Sequence, residues 1–439
     1  MSSSLIKEFL SKVTSKVKVK EAHNLIEKEL VDHLQELSLS YQQKQLSKED
    51  AEKKAIQEMG NPYTLGESLN KVHQPKMDWF LIVLFLAIAA IGFVPLIYGE
   101  PRIINAISSF VIKQLIGYLI SITVIIGIIK LDYRKLKNGW TFFYGIGLML
   151  QLCTVLFGGV TVNGSKSWLA IFGGVGVDMT LVTLFFYFLA WAGIFSKMHV
   201  FNSWLKQGGA LVILFWLPIS IYLIFPSYMV MLLYFLCLAV MFAFSNVHRK
   251  LAIKLVAVNL IASLCFISIM LVSSQGYFMD RLLGFLHPNS DPYGEGYMYL
   301  LLKDAFLQAG WFGHGLEQEL TLHTIVNTHT DFAFPYLVST LGWAFGIALC
   351  TVLLAFISRL SINAFKTKDR YGRLLVIGGA TLFTVPTIYN ILMGVGIVPI
   401  IGISIPFISY GVSIIVVYTV ILGLILSVYR RKDMVVETW

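Results

Sequence analysis

The sequence predicts an all-α, polytopic integral membrane protein of about ten transmembrane helices, preceded by a small N-terminal cytoplasmic helical bundle. Three observations lead there. Of 439 residues, 56% are hydrophobic and 13% charged, with a mean hydropathy of +0.73, whereas about a quarter of an ordinary soluble domain is charged. After Pro75 the chain falls into apolar runs of roughly the 20 residues that cross a bilayer. Lys and Arg gather at alternate ends of those runs. The net charge of +9 is therefore that of loops facing anionic lipid, and no nucleic-acid partner is expected.

Taken in order, residues 1–76 form a region apart, expected to be the cytoplasmic bundle. Leu25, Ile26, Leu30, Leu34 and Leu37 recur at helical spacing and lay one apolar stripe on a charged helix. Ser47-Lys-Glu-Asp50 has the form of a capping box opening a second helix, which Gly60-Asn-Pro62 stops. The polar N-terminus lacks an apolar h-region, so the first membrane span is expected to serve as its own insertion signal.

Residues 77–432 form the membrane domain, with spans expected over 78–98, 112–130, 140–159, 171–195, 208–225, 228–246, 253–273, 332–358, 373–395 and 403–428. Lys130, Arg134, Lys135, Lys137, Lys197, Lys206, Arg249, Lys250, Lys254, Arg359, Lys366, Lys368, Arg370, Arg373, Arg430, Arg431 and Lys432 fall on one side. Arg102, Lys113, Lys166, Arg281 and Lys303 fall on the other. By the positive-inside rule both termini are cytoplasmic and the long stretch of about 274–331 is outside. Cys153, Cys237, Cys265 and Cys350 stand singly in apolar runs and read as small buried hydrophobes, not as a disulfide framework or a metal site.

The outer stretch holds the most informative residues. Asp291-Pro-Tyr-Gly-Glu-Gly-Tyr297 contains Asp-Pro-x-Gly, by itself a turn. Gly310-Trp-Phe-Gly-His-Gly315 follows, and Gly310, Gly313 and Gly315 suit either a tight turn with close packing or a phosphate cradle. His329-Thr-Asp-Phe332 lies where the loop re-enters the membrane, a place where ionisable groups are costly. Its His329 and Asp331 are candidates for substrate contact, with a helix N-cap at Thr330 or Asp331 as the structural alternative. His314 and His323 lack metal-ligand spacing with it. Near the end stands Pro406-Phe-Ile-Ser-Tyr-Gly411, where Pro and Gly would break the last helices around a cavity.

That ordered set, with Phe285-Leu-His-Pro-Asn-Ser290 before it and Asn390, Gly394, Pro399, Gly402 and Ser413 near the end, resembles the SEDS family of shape, elongation, division and sporulation proteins, the FtsW/RodA/SpoVE group. The resemblance covers roughly residues 78–430. It implies ten spans and a peptidoglycan glycosyltransferase that polymerises lipid II, an undecaprenyl-diphosphate substrate, at the outer face of the bacterial cytoplasmic membrane. It also implies a class B penicillin-binding protein as partner and Asp291 as the catalytic base. A base is needed because the acceptor hydroxyl must lose its proton as it attacks the donor's anomeric carbon. One carboxylate suffices where the leaving group is already a diphosphate. A low-dielectric setting is expected around it.

The resemblance further makes Lys166 of Asn163-Gly-Ser-Lys-Ser-Trp168 a diphosphate contact and Trp168 an interfacial or substrate-side residue, and it places Ser409 and Tyr410 in the site. A Mg or Mn ion is a possible cofactor with no ligand set assigned. The N-terminal region, with Glu29-Leu-Val-Asp-His33 and Met59-Gly-Asn-Pro62, resembles the permease-prefix module of several bacterial membrane proteins. The chain also departs from the SEDS pattern. The family's Glu and Lys stand here as Thr180 and Thr183, its Gln-Pro-Asp-Leu-Gly-Thr element is reduced to Phe225-Pro-Ser-Tyr228, and its double glycine is Gly411-Val412. Two other classes stay open: a non-catalytic relative that binds lipid or a partner, and a flippase for lipid-linked precursors.

Overall fold

A computed structural model describes residues 4–98, 104–158, 160–162, 165–171, 175–197, 204–224, 227–245, 247, 249–273, 277–315, 325 and 327–432. The chain divides into two compact units. The first takes in residues 4–78, 366–369 and 428–432; the second is Trp79–Phe365 with Arg370–Ser427.

In the first unit, α1 (Ser4–Ser15), α2 (Lys20–Gln43), α3 (Lys48–Glu58) and α4 (Pro62–Val72) enclose one apolar core. Ile26, Leu30 and Leu34 of the expected stripe are buried there, against Phe9, Leu10 and Val13 of α1. Ser47 Oγ accepts the Asp50 N–H at 3.2 Å, which makes the N-cap of α3. Asn61 caps α4 through the Tyr63 N–H at 2.9 Å, with Pro62 in the first helical turn. Gly66 lets α4 rest on α1, since a Cβ there would lie 2.5 Å from Val13 O.

The second unit opens with α5 (Trp79–Ile91) and α6 (Val94–Tyr98), which form one apolar span interrupted at Gly92. Next come α7 (Ile104–Lys130) and, after a 3-10 turn over Tyr133–Gly139, α8 (Trp140–Phe157). A small antiparallel sheet follows: β1 (Val160–Val162), β2 (Ser165–Ile171) and β3 (Val175–Asp178), in the order β1-β2-β3. Trp168 pairs with Val160 on one side and Asp178 on the other. The expected fourth span therefore starts late. Ile171 and Val175–Asp178 are strand instead, and Gly176 among them is a poor helix former.

Helices α9 (Met179–Ser196), α10 (Trp204–Tyr222), α11 (Tyr228–Ala243) and α12 (Arg249–Ser273) continue the bundle. Pro218 inside α10 has no N–H for Leu214 O. That carbonyl is satisfied sideways, by Tyr144 OH at 2.9 Å and Tyr234 OH at 3.5 Å. Gln151 Nε2 donates to Pro218 O at 3.0 Å while its Oε1 accepts from Tyr187 OH at 2.6 Å. A buried polar seam thus ties α8, α9, α10 and α11 where a proline would otherwise leave a gap.

The expected outer stretch carries α13 (Tyr277–Leu286) and α14 (Tyr297–Gln308). Then come α15 (Ala333–Phe365), α16 (Arg370–Gly394) and α17 (Val412–Arg431). Among the described residues seven helical segments are long and apolar enough to cross a membrane, and α10 and α11 are shorter apolar helices. The expected last span, 403–428, is helical only from Val412. Before it, residues 395–411 run irregularly through Gly396, Pro399, Gly402, Pro406 and Gly411. Phe407 is the anchor of that segment. Its backbone is left-handed at φ 66°, its ring lies against Phe85, Phe356, Phe383 and Tyr418, and its carbonyl accepts from Tyr118 OH at 2.5 Å. A non-glycine residue keeps that conformation only where the surroundings over-determine it.

Candidate functional site

The Asp291 turn begins where α13 ends. A 3-10 turn over Pro288–Ser290 delivers Asp291, which is exposed. Its Oδ1 accepts the Gly294 N–H at 3.0 Å, its Oδ2 the Glu295 N–H at 3.3 Å, and its carbonyl the Gly296 N–H at 3.1 Å. The two glycines are what make this possible. A Cβ at Gly294 would lie 2.0 Å from Asp291 Oδ2, and one at Gly296 would lie 2.0 Å from Pro288 O. The carboxylate is thus held by backbone while part of it faces outward. The protein does not itself enclose the carboxylate: Asp291, Pro292 and Gly294 are exposed, and Tyr293 is 94% exposed. The turn lies between the ends of two short helices, and among the described residues no span covers it.

A second group of residues converges nearby in the fold. His329, Asp331, Ser409 and Tyr410 meet where the turn before α15 touches the irregular segment 395–411. Tyr410 N–H donates to His329 O at 2.7 Å, and the His329 ring lies 5.3 Å from Phe110 and 5.7 Å from Tyr410. Ser409 Oγ donates to Thr330 O at 2.6 Å and accepts the Ile405 N–H at 2.9 Å. Asp331 is buried, and its Oδ1 accepts from Ser404 Oγ at 3.2 Å. Burial pushes its carboxyl up to about 6, against a smaller downward pull from the Ser404 hydroxyl. Asp331 therefore holds the re-entrant segment by its side chain rather than capping α15.

Three residues complete it, of which the sequence singled out only Asn390, as part of the C-terminal signature. Asn390, 0% exposed, donates through Nδ2 to both Asp331 O and Ile403 O. A lone amide inside the apolar α16 was its signal. Tyr299 OH accepts the Ile400 N–H at 2.8 Å, and Leu302, Ile325, Phe332, Met393 and Ile403 form one apolar cluster. That contact and that cluster connect α14, and through it the Asp291 turn, to the 395–411 segment. Ser404 had no sequence signal at all.

The other candidates lie apart. The glycine loop clasps the break in α15: Trp343 N–H donates to Gly310 O at 3.0 Å, and Gly315 N–H to Thr340 O at 3.0 Å. A Cβ on Gly313 would be 2.2 Å from Thr340 O, and Gly342 opposite has φ 86°. Gly313 thus serves close packing against Thr340 and Gly342. The side chain of Lys166 and all of His323 lie outside the described residues. Trp168 is partly covered, with Gly176 against its ring. Thr180 and Thr183 are buried on α9, where Thr183 Oγ1 meets Tyr222 OH at 2.7 Å. Asp178 caps that helix, accepting Thr180 N–H at 3.0 Å and Thr180 Oγ1 at 2.6 Å, and burial raises its carboxyl.

Fold and site define a multi-pass membrane protein with a carboxylate turn on one large loop and a broken-helix cluster beside the last spans. Residues 76–434 match the family model for FtsW, RodA and SpoVE, described as cell cycle proteins. The chain belongs to that family. It is 27% identical over 361 residues to the probable peptidoglycan glycosyltransferase FtsW of Pseudoalteromonas translucida, covering 79% of this chain and 88% of that one. It is also 27% identical over 379 residues to the protein of the same name from Idiomarina loihiensis, covering 83% and 90%. In fold it is similar to a chain of a peptidoglycan synthase complex that coordinates polymerization and crosslinking, with TM-score 0.66, 22% identity, and 81% and 98% of the two chains covered. The rod shape determining protein RodA of Thermus thermophilus gives TM-score 0.57 at 20% identity, covering 81% and 97%.

Proposed function

We propose that this protein is a SEDS-type peptidoglycan glycosyltransferase, polymerising lipid II into glycan strands at the outer surface of the cytoplasmic membrane for cell wall synthesis. The observation that carries the reading is the Asp291 carboxylate, fixed by the Gly294 and Glu295 N–H groups yet exposed to an incoming hydroxyl. In the reaction Asp291 takes the proton of the acceptor hydroxyl as that oxygen attacks the donor's anomeric carbon, and the lipid diphosphate leaves from the opposite face with inversion. The His329–Tyr410 cluster and the 395–411 segment, joined to α14 through Tyr299, are proposed to position the substrate beside that turn. A class B penicillin-binding protein is the proposed partner, supplying the transpeptidase step. The basic residues support an orientation with both termini cytoplasmic and the Asp291 turn outside.

A Mg or Mn ion belongs to the same proposal. Among the described residues no three His, Cys, Asp or Glu side chains converge. Those residues thus offer no protein cage, and the ion would be held by the substrate's diphosphate, which leaves the Asp291 carboxylate to act as the base. When bound it would offset the charge of the leaving diphosphate.

A non-catalytic, lipid-binding role is the second reading. It is favoured by one observation: Thr180 and Thr183 form a neutral buried contact with Tyr222 where the family carries a Glu and a Lys. The test is purified full-length protein, with a class B penicillin-binding protein and divalent metal, incubated with lipid II. Glycan polymer that disappears with Asp291→Asn is the expected outcome. Lipid II binding without polymer under every metal condition selects the second reading.

A further inference from the structure

Away from the Asp291 turn, α9, α10, α11 and α12 enclose a cavity of about 250 Å³. On α12 its lining runs from Leu255 to Ser263, beginning within about two turns of Arg249 and Lys250 at the start of that helix, and on α9 it comes from Trp191 and Phe195 near the C-terminal end. Trp191, Phe195, Phe215 and Phe242 put aromatic rings in the wall. The polar groups in the lining are already engaged. Asn259 Oδ1 accepts from Trp216 Nε1 at 2.9 Å, Asn259 Nδ2 donates to Leu255 O at 2.8 Å, and Ser263 Oγ donates to Asn259 O at 2.7 Å. A cavity lined this way stays dry and takes an apolar guest. One wall is open sideways, because Val256 and Leu260 are 53% and 61% exposed. In a membrane-embedded bundle that side faces hydrocarbon.

Charge says which lipid fits. Between Asp178 and Asp280 the sequence contains no Asp or Glu, while Lys197, Lys206, Arg249, Lys250 and Lys254 all fall in that stretch. Arg249, Lys250 and Lys254 are exposed, and Lys254 adjoins the cavity residues Leu255 and Val256. We propose that this cavity binds one acyl chain of an anionic diacyl phospholipid whose headgroup phosphate rests on Arg249, Lys250 and Lys254. The site goes beyond glycosyl transfer, and depends on neither Asp291 nor the orientation of the termini.

The test uses full-length protein in mild detergent with phosphatidylglycerol or phosphatidylcholine, and counts retained lipid by native mass spectrometry. One retained phosphatidylglycerol per chain, in preference to phosphatidylcholine, is expected. Replacing Arg249, Lys250 and Lys254 by Gln should weaken phosphatidylglycerol retention by about tenfold to a hundredfold and leave phosphatidylcholine unchanged. Ala239→Phe and Leu260→Trp, which fill the cavity from α11 and α12, should each displace the lipid while the protein still elutes as a single species. Equal retention of the two lipids, or full retention in whichever cavity-filling variant elutes normally, overturns the proposal. Because the readout is bound mass, either outcome is independent of whether the protein polymerises lipid II.

Discussion

At Asp291 two backbone N–H groups each take one carboxylate oxygen, and the outward lone pairs face solvent. Asp291→Asn keeps the turn's shape and loses the base, so polymer formation should fall by about 10²–10⁴-fold with an unchanged melting temperature. Activity near that of the parent in a folded variant would remove Asp291 from the role. Asp331 behaves differently because it is buried. Its carboxyl, raised to about 6 from an ordinary 3.8, binds its proton more tightly in the folded state, so its contribution to stability is full below the ordinary value and is lost as pH rises toward 6. Asp331→Asn should abolish that loss, on the order of 3 kcal/mol. Melting curves at pH 4.5 and 7 would read about 2 kcal/mol of it, and an unchanged pH dependence would mean that Asp331 is not the group titrating. Asp291, His329, Asp331, Ser409 and Tyr410 were all legible in the sequence as residues. Their setting was not, because the exposure of one carboxylate and the burial of the other depend on which helices pack over them.

Among the elements, the glycine loop and the break in α15 form one device, with Gly313 and Gly342 each leaving room for the other's backbone. Gly313→Ala meets Thr340 backbone at a left-handed φ of 74° and should cost several kcal/mol, seen as a large fall in melting temperature. Gly310→Ala has open space around it and carries only the left-handed penalty at φ 59°, roughly 1–2 kcal/mol. If Gly310→Ala instead abolished lipid II binding at unchanged stability, the loop would be a phosphate cradle after all. The apolar spans were readable because length and hydropathy alone decide them. The sheet of β1, β2 and β3 was not, since its strands are short and its Trp168–Asp178 pairing is specified by contact between segments. Equally hidden was the polar seam around Pro218, where two tyrosines far apart in sequence serve one carbonyl.

For the whole molecule, the alternation of basic loops sets a testable orientation. In a background with the four native cysteines replaced by alanine, Glu295→Cys should react with a membrane-impermeant thiol reagent added outside, and Lys368→Cys should not. The reverse pattern would place the Asp291 turn on the wrong side for cell wall chemistry. The Phe407 anchor also bears on how the molecule is made. Its ring partners come from α5 near the start of the bundle and from α15, α16 and α17 at its end, and Tyr118 of α7 holds its carbonyl. A chain emerging from the ribosome lacks that anchor between its first and last spans until residue 407 and the helix after it have been inserted. An incompletely synthesised protein would thus display the Asp291 turn without the segment that completes its surroundings. The surroundings of the site are in that sense the last part of the molecule to be made.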